Sequence, residues 1–280
     1  MKIWFITGAS RGFGALVTEL ALQRGDKVVA TARNPATITE RFGQRPDLLP
    51  LKLDVTDEDE ARVAAQAAID AFGQIDVLLN NAGFGLVGAV EESSAREVEA
   101  VYRTNVFGLL NVTRAVLPFM RAQRSGHVIN ISSIGGYRSG VGFGVYCSTK
   151  FAVEGLSEAL HHELKPLGVQ VTVVEPGYFR TDFLDSTSLS VSGSEIEDYG
   201  ETSGAVRHRA VELNHAQPGD PARLARVLVE LADEGDAPVR LPLGSDTVAA
   251  IEAKHQSDAA ILDRWRHVSV STDFPVEETV

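Results

Sequence analysis

Two side chains four residues apart, Tyr146 and Lys150 in Gly144-Val145-Tyr146-Cys147-Ser148-Thr149-Lys150, could together move a proton. The segment reads as helix, which puts both on one face a single turn apart. A phenol with a pKa of about 10 is a poor acid–base at neutral pH, but a nearby ammonium favours the phenolate. Lowering that pKa by about three units takes roughly 4 kcal/mol, which one close cation in a partly dry site, helped by a second positive charge, can supply. A bare Tyr-x3-Lys is also an ordinary helix pair, so its neighbours matter. Ser132 and Ser133 end an apolar strand-like run, and Ser133 can donate to a carbonyl oxygen and polarise it. Asn105 interrupts an apolar helical stretch, where its amide could hold a water that resupplies protons. Taken singly, Ser133 also reads as a turn hydroxyl and Asn105 as a helix-bending residue.

A second chemical feature opens the chain. The run Lys2–Thr7 leads into Gly8-Ala9-Ser10-Arg11-Gly12-Phe13-Gly14 and then an apolar-periodic helix. Glycines there permit a tight turn and a close backbone approach to a pyrophosphate, and the helix start offers free N–H groups to it. The spacing is Gly-x3-Gly-x-Gly. Sites for NAD carry an acid about 20 residues further on, yet the second strand ends Thr31-Ala32-Arg33-Asn34, without a carboxylate. Arg33 and Arg11 therefore form the expected basic pocket for a 2′-phosphate, which favours NADP(H) over NAD(H).

The elements that must position these groups alternate in type. Strands are expected at Lys2–Thr7, Lys27–Thr31, Leu49–Leu53, Asp76–Asn80, Gly126–Ser132, Val169–Val174 and Val239–Leu243. Helices are expected at Gly12–Arg24, Asp57–Phe72, Ser94–Arg124, Gly144–Leu167 and Asp220–Glu234. Nearly continuous apolar strands between helices imply an α/β, Rossmann-type, doubly wound and mostly parallel seven-stranded sheet with helices on both faces. One domain over residues 1–280 is expected. The polar, weakly periodic stretch 182–217 follows a strand's carboxyl end and reads as a substrate lid, and the tail 274–280 as unstructured.

Composition narrows the partners. A net charge of −12 argues against nucleic acid or an anionic membrane as the main partner. The single cysteine, Cys147, excludes an intrachain disulfide, and no apolar run is long enough to span a bilayer. The expected setting is the cytoplasm. The histidines show no ligand-like grouping with cysteines or acids along the sequence, so no metal is expected.

Together, Thr7-Gly8-x3-Gly12-x-Gly14, Asp54, Asn80-Asn81-Ala82-Gly83, Asn105, Ser133, Tyr146-x3-Lys150 and Pro176-Gly177 with Thr181 resemble the short-chain dehydrogenase/reductase family, in its compact single-domain branch. The resemblance covers residues 2 to about 182. It implies that Asp54, with Val55 beside it, meets the adenine, that Asn80, Ala82 and Gly83 line the cofactor, and that Pro176, Gly177 and Thr181 flank the nicotinamide. It also implies that Lys150 bonds the nicotinamide ribose and that the protein is a homo-oligomer, dimer or tetramer. Ser133 is chosen over Ser132 because it stands thirteen residues before Tyr146.

The expected activity is reversible hydride transfer between NADPH and a carbonyl/alcohol pair, with Asn105, Ser133, Tyr146 and Lys150 as the catalytic set. Phe143 and Tyr178, with Leu86, Val87, Phe179 and Phe183, would give the substrate a hydrophobic pocket. The alternative is a non-catalytic NADP(H) sensor on the same fold. An epimerase or dehydratase would show a differently spaced glycine loop and a larger carboxyl-terminal domain, and no Gly-x-Ser-x-Gly elbow marks a hydrolase. Two features depart from the family's pattern: Arg240-Leu241-Pro242-Leu243-Gly244 replaces an Asp-Gly-Gly-like signal, and the chain runs on to Val280.

Overall fold

In a computed structural model, which describes residues 1–274, the chain alternates strand and helix through most of its length. The elements are β1 (Ile3–Thr7), α1 (Gly12–Gln23), β2 (Lys27–Ala32), α2 (Ala36–Phe42), β3 (Leu48–Lys52), α3 (Glu58–Phe72), β4 (Val77–Asn80) and β5 (Gly85–Val87). After them come α4 (Ala95–Tyr102), α5 (Leu109–Gln123), β6 (Gly126–Ile131), α6 (Gly144–Leu164), β7 (Val169–Pro176) and β8 (Leu189–Val191). The chain closes with α7 (Ala205–Leu213), α8 (Pro221–Leu231), β9 (Arg240–Leu243) and α9 (Ser245–Val270). Seven strands form one parallel sheet in the order β3-β2-β1-β4-β6-β7-β9. Each expected strand is present within one or two residues of its expected ends.

Side-chain alternation along the strands splits the core in two. Trp4, Ile6, Val28 and Ala30 pack on one face against α1 and α8. Phe5, Val29 and Leu78 pack on the other against α3 and α5. Both faces are thereby covered, which is why these strands read as unbroken apolar runs. Local signals fix the helix starts: Asp57 accepts from Asp59 N and Glu60 N, Ser94 and Glu97 form a capping box, and Asp220 precedes Pro221.

One expected helix is two, and two later segments carry elements of their own. The single helix expected over Ser94–Arg124 is two helices joined by a π-helical turn, Arg103–Gly108, centred on Asn105. A Cβ at Gly108 would lie 2.6 Å from Val55 Cγ2, so the turn sits hard against the loop after β3. Stretch 182–217 is built rather than loose: β8 pairs in parallel with β5, α7 follows, and Arg207 pairs with the fully buried Glu92 carboxylate. The carboxyl-terminal segment contains a 26-residue helix, α9, exposed over most of its length. Of the expected tail, Phe274 is exposed and outside any element, and 275–280 lie outside the described residues.

His127 illustrates how burial within β6 couples to stability. Its Nε2 meets Thr172 Oγ1 at 2.9 Å, and burial, with Lys2 adding to it, pulls the imidazole from 6.5 to about 4. The unfolded chain therefore binds the extra proton between those values, and stability falls as pH drops through that window. Full protonation costs about 3 kcal/mol at 1.36 kcal/mol per unit. In chemical denaturation, His127→Gln is expected to lose less stability than the parent protein between pH 6.5 and 4; equal losses would contradict this assignment.

Candidate functional site

A cleft of about 780 Å³ runs along the carboxyl ends of the central strands. At one end the turn from β1 into α1 forms its floor. Gly8 and Gly12 have φ of +65° and +54°, a region that L side chains adopt at a cost. Gly14 lies behind the lining, and a Cβ there would fall 2.4 Å from Gly8 O and 2.7 Å from Asn81 Nδ2. Glycine at 14 lets the helix close on the strand. Arg11, the residue before α1, makes no capping bond with its side chain, so the first N–H groups of the helix face the cleft beside Gly8, Ser10, Gly12 and Phe13. The result is a cradle suited to a phosphate.

Further along the cleft stand Arg33, Asp54, Val55, Ala82 and Gly83. Arg33 is exposed at the end of β2 and makes no ion pair among the described residues. Arg11 is engaged differently: its guanidinium holds Thr187 by Oγ1 at 2.5 Å and by the carbonyl at 2.8 Å. Of the two arginines expected to clamp a phosphate, Arg33 is open and Arg11 latches the segment above the cleft. Asp54 Oδ1 accepts from Thr56 N and Oγ1, which fixes the carboxyl at the rim.

Asn80 does not line the cleft. Its amide donates to Thr113 Oγ1 and Asn130 Oδ1, both at 2.9 Å, and ties β4 to its neighbours inside the core. Strand alternation turns the next residue to the cleft instead: Asn81 Nδ2 donates to Thr7 O and Gly8 O and braces the glycine turn.

The proton-moving groups gather on the opposite wall. Tyr146 and Lys150 are buried on the first turns of α6, with Lys150 Nζ 5.8 Å from the phenol ring centroid. Nζ donates to Ile131 O at 2.9 Å, at the end of β6. Ser133 follows that strand, and a Cβ on Gly135 would lie 3.4 Å from Ser133 Oγ and 3.6 Å from Tyr146 Cε1. The end of β6 and the start of α6 thus bring Ser133, Tyr146 and Lys150 into one cleft wall. Burial pushes the Tyr146 phenol above its ordinary value, and hydrogen bonding from Ser133 opposes that rise. Cys147 and Tyr178 add to that rise. Burial also pulls the Lys150 ammonium down to about 8, with Glu154 opposing.

Asn105 is placed near Lys150 but spends its amide elsewhere. Oδ1 accepts from Phe84 N, and Nδ2 donates to Phe84 O and Thr149 Oγ1. These bonds pin the segment after β4 to α6. Both groups converge on Gly83, where a Cβ would lie 3.1 Å from Asn105 Oδ1 and 3.8 Å from Lys150 Nζ.

Aromatic groups cover this end. Phe183 is 5.7 Å and Phe143 6.2 Å from Tyr146, centroid to centroid, and Phe13 meets Phe179 edge-on at 5.6 Å. Pro176, Gly177, Tyr178 and Thr181 complete the lining after β7, with Thr181 capping the next turn through Phe183 N. Leu86 and Val87, expected near substrate, are buried in β5 and do not reach the cleft.

Asp246 was not foreseen. From the first turn of α9 it accepts from Tyr178 N at 2.8 Å, and its carboxylate occupies the space beside Gly177. A grouping absent from the sequence also forms by folding: Asp182, Asp185 and His215 bring ligand-type atoms within 4.8 Å of one another. Asp185 Oδ1 there already accepts from Asn214 Nδ2 and meets His215 Nε2 at 3.1 Å.

Comparison with known proteins agrees with this architecture. A family model described as short chain dehydrogenase matches residues 2–191. The chain is 36% identical to an oxidoreductase (BOA17) from Botryotinia fuckeliana, over 97% of this chain and 99% of the relative. It is 37% identical to a 3-ketodihydrosphingosine reductase from Bacteroides thetaiotaomicron, over 91% and 92%. A solved short-chain dehydrogenase from Streptomyces avermitilis superposes with a TM-score of 0.89 at 40% identity, covering 98% and 100% of the two chains. More distant structures of this fold hold either nucleotide: one from Burkholderia phymatum is complexed with NAD (TM-score 0.82, 24% identity, 92% and 94% covered), and ElxO has NADP bound (0.73, 25%, 89% and 99%).

The glycine turn gives a local test. Overpacking at Gly14→Ala is expected to cost about 1–3 kcal/mol, whereas Gly155→Ala, at a helical glycine of ordinary φ whose Cβ would meet nothing within 4 Å, should cost nothing. Denaturant unfolding of the two variants would show the order, and a cost at position 155 equal to or above that at 14 would contradict the packing described.

Proposed function

We infer the activity from one premise: the chain belongs to the short-chain dehydrogenase/reductase family. We propose that it is an NADP(H)-dependent oxidoreductase that interconverts a carbonyl and a secondary alcohol on a hydrophobic small molecule. One observation carries the reading: Ser133, Tyr146 and Lys150 share a wall of the same cleft whose far end is the glycine cradle.

The cradle fits a dinucleotide, since Gly8 and Gly12 line the cleft with bare backbone and the start of α1 has no side-chain cap. Gly8, Ser10, Gly12 and Phe13 would hold the pyrophosphate, Asp54 and Val55 the adenine, and Ala82, Gly83, Pro176, Gly177 and Thr181 the nicotinamide half. The open guanidinium of Arg33 favours a 2′-phosphate. When bound, the nicotinamide supplies or accepts the hydride.

The chain's own groups handle the proton. In the reductive direction Tyr146 donates to the carbonyl oxygen as general acid, and Ser133 orients and polarises that oxygen. Burial keeps the Tyr146 phenol in its acid form, and donation needs positive charge beside it to bring its pKa toward the operating pH. Lys150 stabilises the phenolate left behind, and Asn105 positions the adjoining backbone. Phe143, Phe183 and Tyr178 would contact an apolar substrate; the ketone reductase among the relatives supports a carbonyl substrate.

Exposed Phe107 and Phe151, on the π-helical turn and on α6, support burial in a homo-oligomer. Among the described residues no helix is long and apolar enough to cross a membrane, and we assign the protein to the cytoplasm.

Two substitutions test the assignment. Tyr146→Phe is expected to bind NADPH normally while losing most turnover, read by calorimetry and by NADPH oxidation with a ketone panel; near-normal kcat would remove the proton-donor role. Arg33→Asp is expected to lower the NADPH/NADH ratio of kcat/KM by orders of magnitude, and an unchanged ratio would reject Arg33 as the selecting residue.

A further inference from the structure

Behind Lys150 lies a charged cluster that the reaction described above does not use. Glu154 is one turn further along α6, and Glu175 stands near the end of β7; both are buried, at 4% and 1% exposure. Arg240 on β9 is the cation that serves them, its Nε 3.2 Å from Glu154 Oε2 and 3.8 Å from Glu175 Oε1. The same guanidinium reaches Glu158 Oε2 at 2.9 Å. Oε1 of Glu154 and Oε1 of Glu175 have no hydrogen-bond partner, and neither has Ser132 Oγ, buried at the end of β6. A Cβ on Gly136 would meet Ser132 Oγ at 2.5 Å and Glu154 Cγ at 3.0 Å, so hydroxyl and carboxyl border the same small gap.

Two adjacent carboxyls in a dry interior, with one shared guanidinium, do not both ionise readily, and a single proton between them relieves the conflict. We propose that Glu154 and Glu175, which meet at the Arg240 guanidinium, share one buried proton, and that the negative charge of Glu154, one turn from Lys150, keeps that ammonium charged into the alkaline range. Both are positioning residues, acting on the reaction through Lys150. The inference rests on the reading of Tyr146 and Lys150 as the acid–base pair.

The groups around the pair are few. From α6 they are Lys150 and the half-exposed Glu158, from β9 Arg240, and from the end of β6 the Ser132 hydroxyl. Lys150 itself also faces the Ile131 carbonyl and Tyr146. Burial, reinforced by Glu154, raises Glu175 to about 7, whereas burial lowers Lys150 to about 8 against the pull of Glu154.

Side-chain NMR titration of Lys150 in the nucleotide-free protein tests this directly. Lys150 is expected to lose its proton about one pH unit lower in Glu154→Gln and at the parent pH in Glu158→Gln. The alkaline limb of kcat should move with it. An unmoved Lys150 titration in Glu154→Gln would overturn the proposal, whatever the turnover. Infrared spectroscopy of the unmutated protein supplies a check free of folding effects: a protonated-carboxyl band at neutral pH that fades on alkalinisation is expected, and its absence would overturn the shared proton. Loss of the acid–base reading shows separately, as a Lys150 titration that shifts while the kcat profile stays fixed.

Discussion

A buried ammonium is costly unless something in the interior repays it, and the arrangement around Lys150 supplies that compensation. Its Nζ is fixed by the Ile131 carbonyl at 2.9 Å, which requires the end of β6 and the start of α6 to meet at one point. The short turn between them must then be thin. Gly136 provides this, since any side chain there would strike Ser132, Glu154 or the Lys150 carbonyl. Tyr146 follows from the same placement, because it shares the helix face one turn earlier. The parallel sheet, covered on both faces, supplies the rigid edge from which these segments project.

The remaining cleft features can be understood as ways of enclosing that point. Phe143 and Phe183 cover the phenol and help exclude water from it. The segment carrying Phe183 is anchored at two distant places, by Arg11 through Thr187 and by Arg207 through the buried Glu92. A latch from the glycine turn to the cover links the phosphate end of the cleft to its apolar end. Arg33 is exposed at the cleft and has no ion pair among the described residues. Asp246 adds a contact from α9 to the backbone at Tyr178, so the long carboxyl-terminal helix also shapes the rim.

Much of this was legible in the residues. Strand positions, the glycine turn and the Tyr146-x3-Lys150 pair are local patterns, and local geometry carries them directly into the fold. What escaped depended on contacts between distant segments. Asn80 and Asn81 are adjacent amides, and only the pleat of β4 decides which one faces the cleft. Apolar periodicity joined Ser94 to Arg124 because Asn105 and Gly108 interrupt the helix through Phe84 and Val55, far away in sequence. Leu86 and Val87 read as pocket residues until β8 arrived to bury them with β5. The Glu154–Glu175–Arg240 cluster draws one member each from α6, β7 and β9, so no spacing announces it. Burial of the Tyr146 phenol, which raises its pKa, likewise depends on how completely the cleft wall closes around it.

Catalysed hydride transfer to a carbonyl carbon is the claim that binds these parts together, and isotopic transfer tests it most directly. NADPH deuterated at either face of nicotinamide C4 should be incubated with the protein and a reducible hydrophobic ketone, and the alcohol analysed by mass spectrometry. One of the two labelled forms should deliver a single deuterium to the carbinol carbon, the other none. Bound NADPH with no deuterium in any alcohol product, across ketones, aldehydes and quinones, would contradict the enzyme assignment and leave a nucleotide-binding protein without this chemistry.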